Sequence, residues 1–133
     1  MAVTRISRAF KDINLSFDPH PITNDLPILK NESAIRRSVR NIVQTIPTER
    51  FFNPVFGSDV YKSLFDFVDF GTASIIEDQI ITSIKNFEPR VENTRVRVDP
   101  SPDENSFEVT ICCDIIALEL PTRDDSFLLE STR

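Results

Sequence analysis

The sequence predicts an α+β domain in which two long helices pack against a small antiparallel sheet. Two stretches with helical periodicity, 32–45 and 73–87, and one alternating stretch, 107–117, support this prediction. A length of 133 residues is typical of a single domain with a modest core. We therefore expect an N-terminal arm at 1–11, one domain at 12–120 and an acidic C-terminal tail at 121–133.

The first helix is predicted to begin after Asn31, a residue type that caps helix N-termini, and to end before Pro47. Its apolar residues recur on one face, at Ile35, Val39, Ile42, Val43 and Ile46. Three arginines gather on the other side, at Arg36, Arg37 and Arg40. A basic face of this kind is typical of a solvated surface, and an acidic neighbour is the alternative.

The second long helix is predicted to run from about Ala73 to Phe87. Ser74 followed by Glu77 fits a capping box at its start. Its apolar stripe consists of Ala73, Ile76, Ile80, Ile84 and Phe87.

The strand at 107–117 is expected to pair with 94–98 in a hairpin spanning about 94–117, with the turn at 99–105. Its odd positions are apolar and its even positions mostly polar, so one face is expected to be buried. A two-stranded hairpin is marginal alone and leaves its edges unpaired. Either the alternating segment 13–17 or a neighbouring chain is expected to complete the sheet.

Phenylalanine is concentrated in one part of the chain. Residues 51–70 hold six of the eleven phenylalanines, and Gly57 and Gly71 bracket a short predicted helix at 59–66 with Ser58 as its cap. Two interpretations remain open, an apolar patch for a protein contact and simple core packing that takes most of the rings.

Charge and cysteine content exclude several classes of function. The net charge is −6, with +1 in residues 1–98 and −7 in residues 99–133, so a nucleic acid is not expected as a ligand. Cys112 and Cys113 are adjacent and lack the spacing of metal ligands or a disulfide framework. No apolar run reaches membrane-spanning length. We expect no cofactor, metal, membrane or small-molecule substrate.

The segment Glu88-Pro89-Arg90 joins the second helix to the hairpin. Pro89 disfavours the helical conformation at Glu88, so the helix should end at about Phe87. A carboxylate there faces the negative end of the helix dipole and needs a basic partner. Arg90 is one candidate and groups elsewhere are another. From composition alone, a solvated ion pair is favoured.

Several short motifs follow one another in a family-specific order. They are Asp12 to Phe17, Pro19 to Thr23 with Asp25-Leu26, Thr48-Glu49-Arg50, Asn53 to Ser58 with Leu64-Phe65, and Glu88 to Val91. Together they resemble the baseplate wedge, or sheath-initiator, family of contractile phage tails, which also supplies a baseplate subunit of type VI secretion systems. The resemblance covers about residues 12–117, and Thr48 stands where the family usually has glycine.

The resemblance implies a structural part of a baseplate wedge in the virion tail, assembled in the host bacterial cytoplasm. Glu88, Pro89 and Arg90 would dock into the wedge core. Hairpin strands would template the first sheath ring by strand addition, at Arg95, Arg97, Val109, Ile111 and Cys113. The implied partners are other wedge proteins, the tail sheath protein and the tail tube or hub.

Two other classes of function are weighed beside the structural one. Relatives have carried a lysozyme label, but glycoside hydrolysis needs a carboxyl group with a raised pKa. An arginine beside Glu88 would lower that pKa instead. A free adaptor that binds one partner through its phenylalanines is the other alternative, and no catalytic residue is predicted.

Overall fold

The computed structural model describes residues 11–116 and 124–130, which form three helices and five strands. The helices are α1 (Glu32–Gln44), α2 (Val60–Ser63) and α3 (Phe70–Phe87). The strands are β1 (Lys11–Ile13), β2 (Ile28–Lys30), β3 (Val91–Ser101), β4 (Ser106–Ile115) and β5 (Asp125–Glu130). Helices packed on a small antiparallel sheet confirm the α+β prediction. None of the helices in the described residues is long and apolar enough to cross a bilayer.

Helix α1 forms where the sequence predicts it, and its apolar stripe is buried. Asn31 does occupy the N-cap position, but its side chain makes no capping hydrogen bond. Its backbone carbonyl instead accepts the Ile35 N–H, 3.1 Å away.

The predicted caps of the other two helices are wrong. Ser58 does not cap α2: its buried hydroxyl donates to the Val43 carbonyl at 2.6 Å and ties this loop to α1. Helix α3 begins three residues earlier than predicted, because the Asp69 carboxylate accepts the Thr72 N–H at 2.7 Å. The predicted capping box at Ser74 and Glu77 therefore lies inside the helix.

The main sheet has three antiparallel strands in the order β3-β4-β5. The hairpin of β3 and β4 matches the prediction, with Val98 opposite Val109 and a register shift between Glu92 and Arg95. Strand β5 pairs along the other side of β4, with Val109 opposite Phe127. The sheet is thus completed within the chain, neither by residues 13–17 nor by a neighbouring molecule.

Residues 13–17 do not form the predicted strand. Only Lys11–Ile13 are extended, and they pair with Ile28–Lys30 in a separate two-stranded sheet beside α1. Phe17 has a φ of 56°, which ends any extended run.

The core lies between α1, α3 and the inner face of the main sheet. Alternation in β4 buries Phe107, Val109 and Ile111 against the apolar stripe of α3. Phe127 from β5 joins the same cluster. The region designated as the acidic tail therefore contains a core strand, while residues 1–10, 117–123 and 131–133 lie outside the described part of the chain.

Candidate functional site

Glu88 ends α3 and is held by it. The chain leaves the helix after Phe87, as predicted, and the Glu88 N–H donates to the Ile84 carbonyl at 2.9 Å. Glu88 adopts φ −123° and ψ 85°, an extended conformation that a following proline favours. The side chain then turns inward towards α1, so Glu88 stands where α3, β3 and α1 meet.

The carboxylate of Glu88 is buried and fully engaged. Its side chain is only 3% exposed, and Arg90 donates to it through two nitrogens, with Nη2 2.7 Å from Oε2. The Ser38 hydroxyl on α1 donates to the same oxygen at 2.6 Å. Forked arginine–carboxylate pairs are the strong and directional kind. Glu88 and Arg90 therefore pair with each other, and the pair is not a solvated surface contact.

The electrostatics of the pair follow from this geometry. Burial raises the pKa of Glu88, but the hydrogen bonds from Arg90 and Ser38, with the charge of Arg90, outweigh it and leave the pKa below its ordinary value. The hydrogen bond to Glu88 raises the pKa of Arg90, and the nearby Asp12 carboxylate adds to this effect. The carboxylate stays ionised, which is the opposite of what a general acid requires.

This pair is expected to make the fold acid-sensitive in a defined range. Because the folded pKa of Glu88 is lowered, its contribution to stability is complete above the ordinary pKa of 4.5 and is lost as the pH falls through the folded value. Urea unfolding measured from pH 7 to pH 3 should show a steeper loss in the wild type than in Glu88→Gln below about pH 4.5. Parallel curves below that pH would contradict this assignment.

A groove of about 500 Å³ runs beside the ion pair. Ile81 and Lys85 of α3 form one wall, and Asn93, Thr94 and Ile116 form the other. Pro89 lies at the surface in this groove and Ile116 is 58% exposed, although both are apolar. The side chain of Arg90 is 34% exposed. The predicted docking segment thus combines a buried anchor, Glu88, with an accessible surface.

The outer edge of β3 is partly blocked. The Val98 N–H donates to Glu77 Oε1 on α3 at 2.9 Å, so this backbone group points away from β4. Backbone groups alternate in direction along an antiparallel strand. The backbone groups of Arg95 and Arg97 therefore face β4, and their exposed side chains lie on the open face of the sheet.

The residues predicted on β4 for strand addition are not at an edge. Val109 and Ile111 face Phe127 and Asp125 of β5, and their side chains are buried, as is that of Cys113. The alternation directs the backbone groups of Val109 and Ile111 to β5. The prediction that they accept a partner strand is wrong, because β5 already occupies that side of β4.

The outer edge of β5 is the accessible one. By the same alternation, the backbone groups of Ser126, Leu128 and Glu130 point away from β4. An apolar groove of about 260 Å³ adjoins this edge, between Leu128 and Tyr61 and Leu64 of the α2 region. Leu128 is itself 52% exposed. A partner strand here would gain both hydrogen bonds and a pocket for a side chain.

Core packing does not take most of the phenylalanines in residues 51–70, so that interpretation is wrong. Phe51, Phe52, Phe65, Phe67 and Phe70 are all exposed. Phe56 is half-buried, stacks on Phe87 at 5.1 Å and carries the Arg50 guanidinium over its ring. Thr48 has a φ of 79°, so it keeps the left-handed conformation of the family's glycine.

Sequence reasoning missed Ser38, Glu77 and Leu128. Ser38 and Glu88 are 50 residues apart, so no local pattern connects them. Glu77 was interpreted as a capping residue because its spacing fits that motif. Within the described residues, no group of three or more His, Cys, Asp or Glu side chains is placed to hold a metal ion.

Comparison with known proteins gives one family. The family model of the baseplate wedge protein gp25 matches residues 30–118. The baseplate wedge protein gp25 of Enterobacteria phage T4 is 32% identical over 83 residues, which are 62% of this chain. The match spans 63% of the phage T4 protein.

Solved structures share the fold at low sequence identity. A protein from Geobacter sulfurreducens whose name assigns it to tail lysozymes superposes with a TM-score of 0.67 at 22% identity, over 74% of this chain and 89% of its own. A chain of the type VI secretion baseplate complex gives 0.61 at 13%, over 75% and 93%. A chain of the anti-feeding prophage baseplate gives 0.57 at 16%, over 94% and 88%.

Proposed function

Because the chain belongs to the family of the baseplate wedge protein gp25, we propose that it is a structural component of a contractile-tail baseplate wedge. The observation that carries this proposal is the extent of the family match, residues 30–118. That range contains α1, α3, the Glu88–Arg90 pair and the whole hairpin of β3 and β4. The elements that build the candidate site are therefore the elements that the family shares.

The chain docks into the wedge core through the surface around Glu88-Pro89-Arg90. Glu88 supports this surface from below, since its buried carboxylate fixes the Arg90 guanidinium in one orientation. Pro89 and Ile116 offer exposed apolar contacts on the groove beside it. A preorganised surface loses little conformational entropy on binding, which favours a permanent joint. The partners of this joint are other wedge proteins.

Templating of the first sheath ring uses the outer edge of β5. An arm of the tail sheath protein pairs with the backbone groups of Ser126, Leu128 and Glu130, and places a side chain in the groove near Tyr61. Arg95 and Arg97 lie on the open face of the sheet, where their side chains, rather than their backbone, contact the sheath. Main-chain pairing lets each sheath subunit repeat the same joint upward.

A lysozyme-type activity is disfavoured by the state of Glu88. This carboxylate is ionised, buried and bound by Arg90 and Ser38. A general acid needs the reverse, a protonated carboxyl group that faces the substrate. The proposed role is accordingly structural, and contact with the tail tube or hub would be made through other baseplate proteins.

The docking surface is tested by Ile116→Asp. The side chain is exposed, so the substitution is expected to change the free energy of unfolding by less than about 0.5 kcal/mol. A buried, unpaired carboxylate in the joint should nevertheless reduce recovery of the chain in purified baseplates at least about tenfold, by immunoblot. Ile22→Asp is the matched control, because Ile22 is 85% exposed and does not line this groove. Equal recovery of both variants would contradict docking at this surface.

A further inference from the structure

A second cleft, of about 310 Å³, lies on the opposite side of α1 from its apolar stripe. It is lined by Arg36, Arg37 and Arg40, by Ser33, and by Leu29 from β2. The cleft is separate from both surfaces assigned above. It gathers three guanidinium groups on a chain whose net charge is −6.

The three arginines are unequally balanced. Arg36 pairs with Asp125 at 3.3 Å and lies 3.9 Å from Glu32. The Arg40 guanidinium stacks over the Phe127 ring at 5.2 Å. Asp125 is the single carboxylate among the lining residues, so three positive charges face one negative charge.

Hydrogen bonding shows the same imbalance. The Nε atoms of Arg36 and Arg37 are buried and have no acceptor among the described residues 11–116 and 124–130. A buried donor without an acceptor costs about 1–3 kcal/mol. A partner that supplies carboxylate oxygens would recover this cost and neutralise the excess charge.

We propose that this cleft binds an acidic, aliphatic segment of a partner protein. Carboxylates of the segment accept hydrogen bonds from Arg37 and Arg40, and the Ser33 hydroxyl donates a further one. Leu29 supplies an apolar wall for an aliphatic side chain. This interaction is additional to the proposed docking joint and strand addition, and it does not depend on either.

Charge and size favour a protein segment over other anions. A nucleic acid would meet a chain of net charge −6, with this cleft as a small basic island. A volume of about 310 Å³ accommodates a few side chains, and its Leu29 wall gives a free inorganic anion nothing to contact. Segments that combine carboxylates with aliphatic side chains satisfy both parts of the cleft.

Fluorescence anisotropy on the full chain tests the proposal with a fluorescein-labelled peptide rich in glutamate and leucine. We expect the same peptide with glutamine in place of glutamate to bind at least about tenfold more weakly. The Arg37→Gln chain should lose a similar factor, whereas Arg97→Gln, which removes an exposed arginine paired with Asp99, should bind like the wild type. Amide chemical shifts of Ser33 and Arg37 in the wild-type chain should move on titration, which checks the location without any variant.

Three results would overturn the proposal. The first is equal affinity for the glutamate and glutamine peptides, or equal affinity of the Arg37→Gln and Arg97→Gln chains. The second is displacement of the peptide by inorganic phosphate at the peptide's own concentration, which would indicate a general anion site. The third is a dimer of the free chain in sedimentation that Arg37→Gln dissolves, because the occupant would then be a second copy.

Discussion

Replacing Arg90 by alanine is expected to lower the free energy of unfolding by about 2–3 kcal/mol. Removing one partner of a buried ion pair typically costs about 3–5 kcal/mol, because the other charge stays buried without compensation. The lower range applies here because Arg90 is 34% exposed and Ser38 still donates to Glu88. Urea unfolding at pH 7, followed by circular dichroism, measures the change.

The control for this prediction is Arg97→Ala. Arg97 also pairs with an acidic residue two positions away, Asp99, but both side chains are solvated and the pair should contribute at most about 1 kcal/mol. The double variant Glu88→Gln/Arg90→Ala should recover part of the stability lost in Arg90→Ala, since no buried charge remains. An Arg90→Ala chain as stable as Arg97→Ala would show that the pair is not a structural anchor.

A proline at Val109 is expected to unfold the domain, whereas a proline at Leu128 is expected to leave it folded. Val109 is buried in the central strand and directs its N–H to β5. Its replacement leaves a buried carbonyl unpaired, at about 1–3 kcal/mol, and loses packing of similar size. Leu128 directs its N–H outward from the edge strand, where proline is tolerated.

These two variants separate folding from sheath assembly. Leu128→Pro removes the donor that a sheath arm would use, so its baseplates should form but carry few sheathed tails by negative-stain electron microscopy. Val109→Pro should give no soluble folded chain by circular dichroism. Full sheaths on Leu128→Pro particles would exclude strand addition at β5, and a folded Val109→Pro chain would contradict the assigned strand pairing.

Local patterns predict the helices and the hairpin well. The apolar stripes of α1 and α3 depend on helical spacing within one segment, and the alternation in β4 depends on spacing within ten residues. These signals need no knowledge of distant parts of the chain. The helix end before Pro89 is equally local, because the proline acts on its immediate neighbour.

Long-range contacts account for what the sequence does not predict. Strand β5 has two adjacent leucines, Leu128 and Leu129, so it lacks strict alternation and is identified only by its pairing with β4. Burial of Glu88 depends on Ser38, on another helix. Glu77 fits a capping motif, but the Val98 N–H of a different element binds it instead. In each case a tertiary contact overrides a weaker local preference.

Electron cryomicroscopy of the native tail particle, at a resolution that traces the backbone, tests the central proposal most directly. The chain should lie in the baseplate, with another wedge protein filling the groove at Pro89 and Ile116. A strand of the sheath protein should pair with the outer edge of β5. A baseplate that lacks this chain, or one in which both surfaces face solvent, would contradict the structural role proposed for it.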